Sequence, residues 1–201
     1  MSGAQEQDDA RLLRLASAGE REAFAAFYRR RQQGVHRFAL NMSGSPSTAD
    51  EVTQEVFMVL IREPNIYDPG RGSIAAFLYG IARNHVLRIQ KRERRVVELP
   101  DWDAEEVSPD LAVANGPDID LIRSGEINLV RQAILALAPA HREVVALCEL
   151  EEMSYAETAD ILGCAVGTVR SRLHRARQIL RQELNLRRQA KPDRTNMPRE
   201  S

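Results

Sequence analysis

Arg170, Ser171, His174 and Arg175 fall on one side of a helical wheel, and of all the side chains in this sequence they are best suited to reading base edges. An arginine fork matches the acceptor pair of guanine in the major groove, while serine and histidine add shorter polar groups. Gln178 and Arg181 continue the same side, and Thr168 stands at the segment's start, where a hydroxyl beside a helix N-terminus suits a phosphate oxygen. A second cationic group, Arg83, Arg88, Lys91, Arg92, Arg94 and Arg95, gathers around a single acid, Glu93. Its chemistry is the neutralisation of phosphate. Opposite in sign, Asp50, Glu51, Gln54 and Glu55 line one face of another segment and suit a basic protein surface. The four histidines (His36, His85, His141, His174) are scattered, and there is no Ser/His/Asp set and no P-loop glycine pattern. The expectation is a binding protein rather than an enzyme, with no metal and no cofactor.

Helices must hold these groups, and the apolar spacing predicts them. Val166, Val169, Leu173, Ala176, Leu180 and Leu184 recur every three or four positions, which predicts a helix over 166–186 with that stripe turned inward. Ahead of it, Ser154-Tyr155-Ala156-Glu157 is a capping box opening a helix that ends at Gly163. A turn of about three residues between the two helices is the pattern of a helix-turn-helix. Ala165 at the second helix's N-cap forgoes the roughly 1 kcal/mol that Ser or Asp supplies there, so packing must hold that end. Further upstream, 126–137 and 140–150 read as helices separated at Pro139.

The first half is helical by the same criterion. One helix is expected over 20–42, carrying Ala23, Phe24, Phe27, Val35, Phe38 and Met42. Ser43-Gly44-Ser45-Pro46 breaks it, and a second helix runs to residue 62 through Ala49, Val52, Val56, Val59 and Leu60, with Ser47 and Asp50 at capping-box spacing. Asp68-Pro69-Gly70-Arg71-Gly72 is a turn, after which Ser73 can cap a helix to residue 95 packed through Ile74, Phe77, Leu78, Ile81 and Ala82. Residues 1–9 are polar and expected to fray. Between Glu98 and Asp120 acids and prolines accumulate without one Lys or Arg. Such a stretch cannot build a core, so it reads as a boundary. The expected architecture is all-α, two small helical domains joined by an acidic flexible linker: 10–96, a linker over 97–123, a helix-turn-helix domain over 124–188, and a disordered tail over 189–201.

Bulk composition limits the alternatives. With 28 Lys+Arg against 29 Asp+Glu, the formal net charge is −1, so any affinity for nucleic acid must come from segregated charge. Aromatics make up 5%, too few for base stacking along a single strand to be the main theme. Cys148 and Cys164 form no CxxC pair and read as two small buried thiols of a reducing compartment. No apolar run approaches the length of a membrane span, and the N-terminus lacks the pattern of a signal peptide, so a cytoplasmic protein without membrane insertion is expected.

Three segments, in order, resemble one family. AETADILGCAVGTVRSRLHRAR is similar to the DNA-reading part of sigma region 4, ADEVTQEVFMVLIRE to region 2.2, and FLYGIARNHVLRIQKRERR to regions 2.3 and 2.4. The chain thus resembles an extracytoplasmic-function (ECF) sigma factor of the sigma-70 family. The resemblance covers about 12–95 and 126–186, with the acidic stretch where the family has its interdomain linker. Phe77-Leu78 stands where region 2.3 often shows Trp-Leu. The resemblance implies that Asp50, Glu51, Gln54, Glu55 and Phe57 dock on the β′ clamp helices of core RNA polymerase, with the β flap a further contact. It implies that Arg83, Asn84, Arg88, Lys91 and Arg92 meet the −10 promoter element and assist strand opening, and that Thr168, Arg170, Ser171, His174 and Arg175 read the −35 element. An anti-sigma factor is an implied partner. A stand-alone helix-turn-helix regulator would share the C-terminal pattern, but it has no need of an acidic docking helix beside a cationic one.

Overall fold

The computed structural model describes residues 3–97 and 120–189, and every regular element among them is a helix. The order is α1 (Gly3–Ser17), α2 (Arg21–Ser43), α3 (Pro46–Arg62), a 3-10 turn (Pro69–Arg71), α4 (Ile74–Val97), α5 (Asp120–Ala136), α6 (Pro139–Val145), a π turn (Ala146–Leu150), α7 (Tyr155–Leu162) and α8 (Val166–Gln189). The acidic stretch over 98–119 and the tail over 190–201 lie outside the described residues. At its two ends the expected linker is helical, since α4 reaches Val97 and α5 begins at Asp120.

Local chemistry sets the ends of these helices. Gly44 closes α2 at φ 75°, a left-handed conformation that glycine adopts without the Cβ penalty, and its N–H donates to the Leu40 carbonyl. The cap of α3 is Ser45 rather than Ser47: its hydroxyl accepts from the Thr48 N–H, and Pro46 takes the first helical position, where no N–H is needed. The capping box of α7 forms as written, with Ser154 and Glu157 each satisfying the other's backbone donor.

Of the polar run expected to fray, residues 3–9 are helical. They open α1, which packs on α2, and Asp9 is fully buried between Arg30 (2.8 Å) and Arg31. Glu6 reaches further and accepts from the Ile74 N–H at the start of α4. A run without apolar periodicity is therefore ordered by charge pairing, which hydrophobic spacing does not reveal.

The first half's core gathers Phe27, Val35 and Phe38 of α2, Val52, Val56 and Leu60 of α3, and Ile74, Leu78 and Val86 of α4, all buried. Each such side chain is worth about 1.5–3 kcal/mol of burial. The second half has its own cluster of Ile134, Leu137, Val144, Val145, Ala159, Val169, Leu173 and Ala176. The two halves touch. Ala146, Leu147 and Met153 of the second half belong to the core of the first. Arg142 on α6 donates to the carbonyls of Met42 (2.8 Å), Leu135 and Leu137, satisfying the C-terminal ends of α2 and α5 together.

Candidate nucleic-acid interface

α7 and α8 form the helix-turn-helix. Gly163 ends α7 in the left-handed region at φ 64°, which lets the chain reverse, and the Ala165 carbonyl takes the first bonds of α8 from Thr168 (2.9 Å) and Val169 (3.3 Å). Val169, Leu173 and Ala176 are buried against Ala159, Val144 and Val145, so packing fixes the rotation of α8. Arg170, Ser171, His174 and Arg175 consequently face outward and are all exposed, while Thr168 is half-buried. The Ser171 hydroxyl donates to the Thr168 carbonyl one turn earlier (3.0 Å), and Gln178 lies 3.1 Å from the His174 ring. Val166, expected in the inward stripe, is exposed at the helix's first position. Arg177 is engaged elsewhere, with Glu149 of the π turn.

α4 splits the second cationic group in two. Asn84, Arg88, Lys91 and Arg92 are exposed along one ridge. Arg88 donates to His85 Nδ1 at 2.7 Å, which requires a neutral ring; burial and then the Arg88 charge push the His85 pKa down, favouring that form. Arg83 is different. Its side chain is only 20% exposed, and its Nε donates to Glu143 of α6 at 2.8 Å. A cavity of about 390 Å³ opens beside Asn84, lined by Phe77 and Gly80 of α4, Tyr67 and Arg71 of the preceding loop, and Asp160 of α7.

The acidic face of α3 lies where the wheel places it. Asp50, Glu51 and Gln54 are exposed, and Glu55 is half-buried and paired with Arg62 at 2.9 Å. Phe57 is not on the exposed face with the acids. It is 3% exposed and sits edge-on to Phe24, Phe27 and Tyr28, because position 57 continues the buried Thr53–Val56–Leu60 side of α3. It forms the floor of a groove of about 760 Å³ between α2 and α3, rimmed by Tyr28, Gln32, Asp50 and Gln54. His36 Nε2 and Asp50 Oδ1 face each other across it at 3.2 Å.

Spacing alone missed the groups that join the halves. Glu151 at the end of the π turn is buried, and Arg37 grips its carboxylate with both Nε (2.8 Å) and Nη2 (2.7 Å). The Tyr79 hydroxyl donates to Glu151 Oε2 at 2.6 Å. Burial, reinforced by the Glu151 charge, pushes the Tyr79 phenol well above its ordinary pKa, and the bond to Glu151 raises that of Arg37. Ser73 donates to Glu157 at 2.6 Å, tying the N-terminus of α4 to the capping box of α7. Burial opposes ionisation of Glu157, but the hydroxyls of Ser73 and Ser154 and the Ser154 N–H outweigh it and hold the pKa down.

Among the described residues no cluster of three or more His, Cys, Asp or Glu is placed to hold a metal ion, and no helix is long and apolar enough to cross a membrane. Cys148 and Cys164 are free thiols and half-buried, less enclosed than expected.

A helix-turn-helix with an outward cationic face, preceded by a cationic helix beside an acidic one, defines a DNA-directed transcription protein, and comparison with known proteins identifies its family. Residues 27–96 match the family model for Sigma-70 region 2, and residues 127–180 match that for Sigma-70, region 4. The chain is 32% identical over 180 residues to the ECF RNA polymerase sigma factor SigM of Mycobacterium tuberculosis, covering 87% of this chain and 84% of that protein. It is 35% identical over 157 residues to the ECF RNA polymerase sigma factor SigE of Mycolicibacterium smegmatis, covering 75% of this chain and 57% of that longer protein. Among solved structures, the sigma factor RpoE of Bartonella quintana, determined with the anti-sigma factor NepR, matches with a TM-score of 0.60 at 27% identity, over 77% of this chain and 92% of that one. The chain belongs to the ECF sigma factors of the sigma-70 family. Its class is therefore that of a non-enzymatic alternative subunit that directs RNA polymerase to particular promoters.

Proposed function

We propose that the α2–α3 groove and the acidic face of α3 dock on the β′ clamp helices of core RNA polymerase, with the β flap a further contact. The α4 ridge then meets the opened −10 element, and α8 lies in the major groove of the −35 element. The observation that carries this reading is the pair of adjoining faces in the first half, Asp50, Glu51 and Gln54 on α3 and Asn84, Arg88, Lys91 and Arg92 on α4, all exposed. A regulator working alone would need only the helix-turn-helix. Phosphate contacts of α4 and α8 supply affinity, and the outward side chains of α8 supply sequence discrimination. Phe77, half-buried beside the cavity at Asn84, and Tyr67 packed against it are apolar groups that could support an unstacked base. The protein acts in the cytoplasm, and an anti-sigma factor restrains it, as the Bartonella complex supports.

Reversing charge at Asp50 and Glu51 together (D50K/E51K) tests the docking assignment. Both side chains are exposed, so helicity by circular dichroism stays at the wild-type level. Affinity for core polymerase falls roughly tenfold or more, because like charges brought together across an interface cost several kcal/mol. Gel-filtration co-elution at wild-type concentrations would remove the docking assignment.

A further inference from the structure

The second half packs against the edge of the surface that the proposed function assigns to DNA. Arg83 lies beside the exposed α4 ridge, yet its guanidinium is taken by Glu143, itself buried. Asp160 of α7 lines the cavity beside Asn84, and Glu157 holds Ser73 at the entry to α4. Three carboxylates of the second half, those of Glu143, Glu157 and Asp160, thus lie on or beside α4, and a fourth, that of Glu151, enters between α2 and α4.

Glu151 is the deepest of them. Its side chain is 1% exposed, held by Arg37 and Tyr79 in a socket that Gly34 leaves open: a Cβ at position 34 would lie 2.9 Å from the Tyr79 hydroxyl and 3.5 Å from the Glu151 carboxylate. A glycine inside a helix weakens it relative to alanine, and here the space it leaves is filled by a pairing between the two halves. The segment that delivers Glu151 is irregular. It leaves α6 through the π turn Ala146–Leu150, and Glu152 next to it takes a positive φ of 54°. Conformations of this kind persist only when surrounding contacts over-determine them, and they concentrate at switch regions. Arg37, by contrast, is 49% exposed, so water can solvate it at once when the pairing opens.

We propose that the Glu151–Arg37–Tyr79 pairing is an intramolecular latch that holds the second half closed over the first, with Glu143 in the place of a DNA phosphate at Arg83. The inference rests on the assignment of the α4 face to DNA and adds its regulation: the chain occupies Arg83 and the cavity beside Asn84, at the edge of its own strand-binding ridge, until a partner separates the halves. Opening replaces Glu143 by phosphate at Arg83 and lets α7, which packs on α4, move away and carry α8 with it. Competition by intramolecular carboxylates lowers apparent affinity by the fraction of molecules that are open.

The test uses the full chain with E143Q/E151Q and, from the opposite side, R37Q. Small-angle scattering reads compactness, circular dichroism reads helicity, and a fluorescein-labelled single-stranded 12-mer of mixed sequence reads DNA affinity. The expected result is a compact wild type that binds the oligonucleotide weakly. Both variants keep their helicity, expand, and bind roughly tenfold more tightly, as when an open fraction of about one tenth becomes dominant. R37Q bears the most weight, because it leaves every acid facing α4 in place and can unmask DNA binding only by opening the chain. Folded variants that stay compact, or that expand without gaining affinity, would overturn the latch. Core-polymerase co-elution run in parallel separates the two readings: its loss in wild type defeats the proposed function, whereas its persistence beside unchanged DNA binding defeats the latch alone.

Discussion

Asp9→Ala destabilises the protein by about 3–5 kcal/mol, the usual cost of removing one partner from a buried ion pair. The Asp9 carboxylate has no exposed surface and lies between Arg30 and Arg31, the latter itself buried on α2. Losing it leaves the Arg31 guanidinium next to a cavity and loosens α1, whose Glu6 also caps α4 at Ile74. Because α4 carries the cationic ridge, the damage reaches the functional surface through packing rather than through any contact with DNA. Urea unfolding of wild type, D9A and D9N measures it. The isosteric D9N keeps an acceptor and falls between the other two. A loss below about 1 kcal/mol in D9A would show that α1 is not integral to the fold.

Replacing Arg170 and Arg175 together by alanine has the largest functional effect. Both side chains are exposed on α8, and neither is needed by the core beneath, which is built from Val169, Leu173 and Ala176. A bidentate arginine–guanine pair is worth about 1–3 kcal/mol of discrimination, so losing two reduces −35-dependent transcription roughly thirtyfold or more. Core-polymerase binding and thermal stability stay at wild-type values. Multiple-round transcription on a −35-dependent template reads the effect, and wild-type output from the double variant would place the reading face elsewhere on the helix.

How far these features can be read without coordinates depends on whether they are local. The rotation of α8 follows from Val169, Leu173 and Ala176 recurring at helical spacing, and the same arithmetic sends Arg170, Ser171, His174 and Arg175 outward. The α7 capping box is legible because Ser154 and Glu157 are three residues apart and satisfy each other. The cap of α3 is legible in kind but not in position: Ser45 and Ser47 both precede the apolar run, and Pro46 selects Ser45 because proline fits the first helical position. Phe57 lies at the margin of the α3 stripe, where a one-residue difference in boundary decides between rim and floor, and only the three aromatic rings around it settle the matter.

What the sequence does not disclose is long-range and polar. Asp9 with Arg31 and Glu151 with Arg37 are separated by 22 and 114 positions, and no periodicity marks either pair. The composition break at Glu98 to Asp120 identifies a boundary between halves but carries no information about whether they touch. They do, through Leu147, Met153 and four carboxylates, a contact that composition alone does not supply.

A mobility-shift titration at physiological salt, with and without core polymerase, tests the central claim most directly. The duplex is a promoter drawn from genes induced when this protein is overexpressed, run beside a scrambled version. Single DNA-binding modules need roughly 600–1,000 Å² of buried surface for specific binding, and in the free chain Arg83 is already paired with Glu143. Polymerase would fix the spacing of α4 and α8 and turn two weak sites into one bivalent one. The account predicts weak, sequence-indifferent binding by the free protein and tight binding to the promoter alone, not the scrambled duplex, once core enzyme is added. Tight, sequence-specific binding by the free protein, unchanged by core polymerase, would contradict it and identify a regulator that works alone.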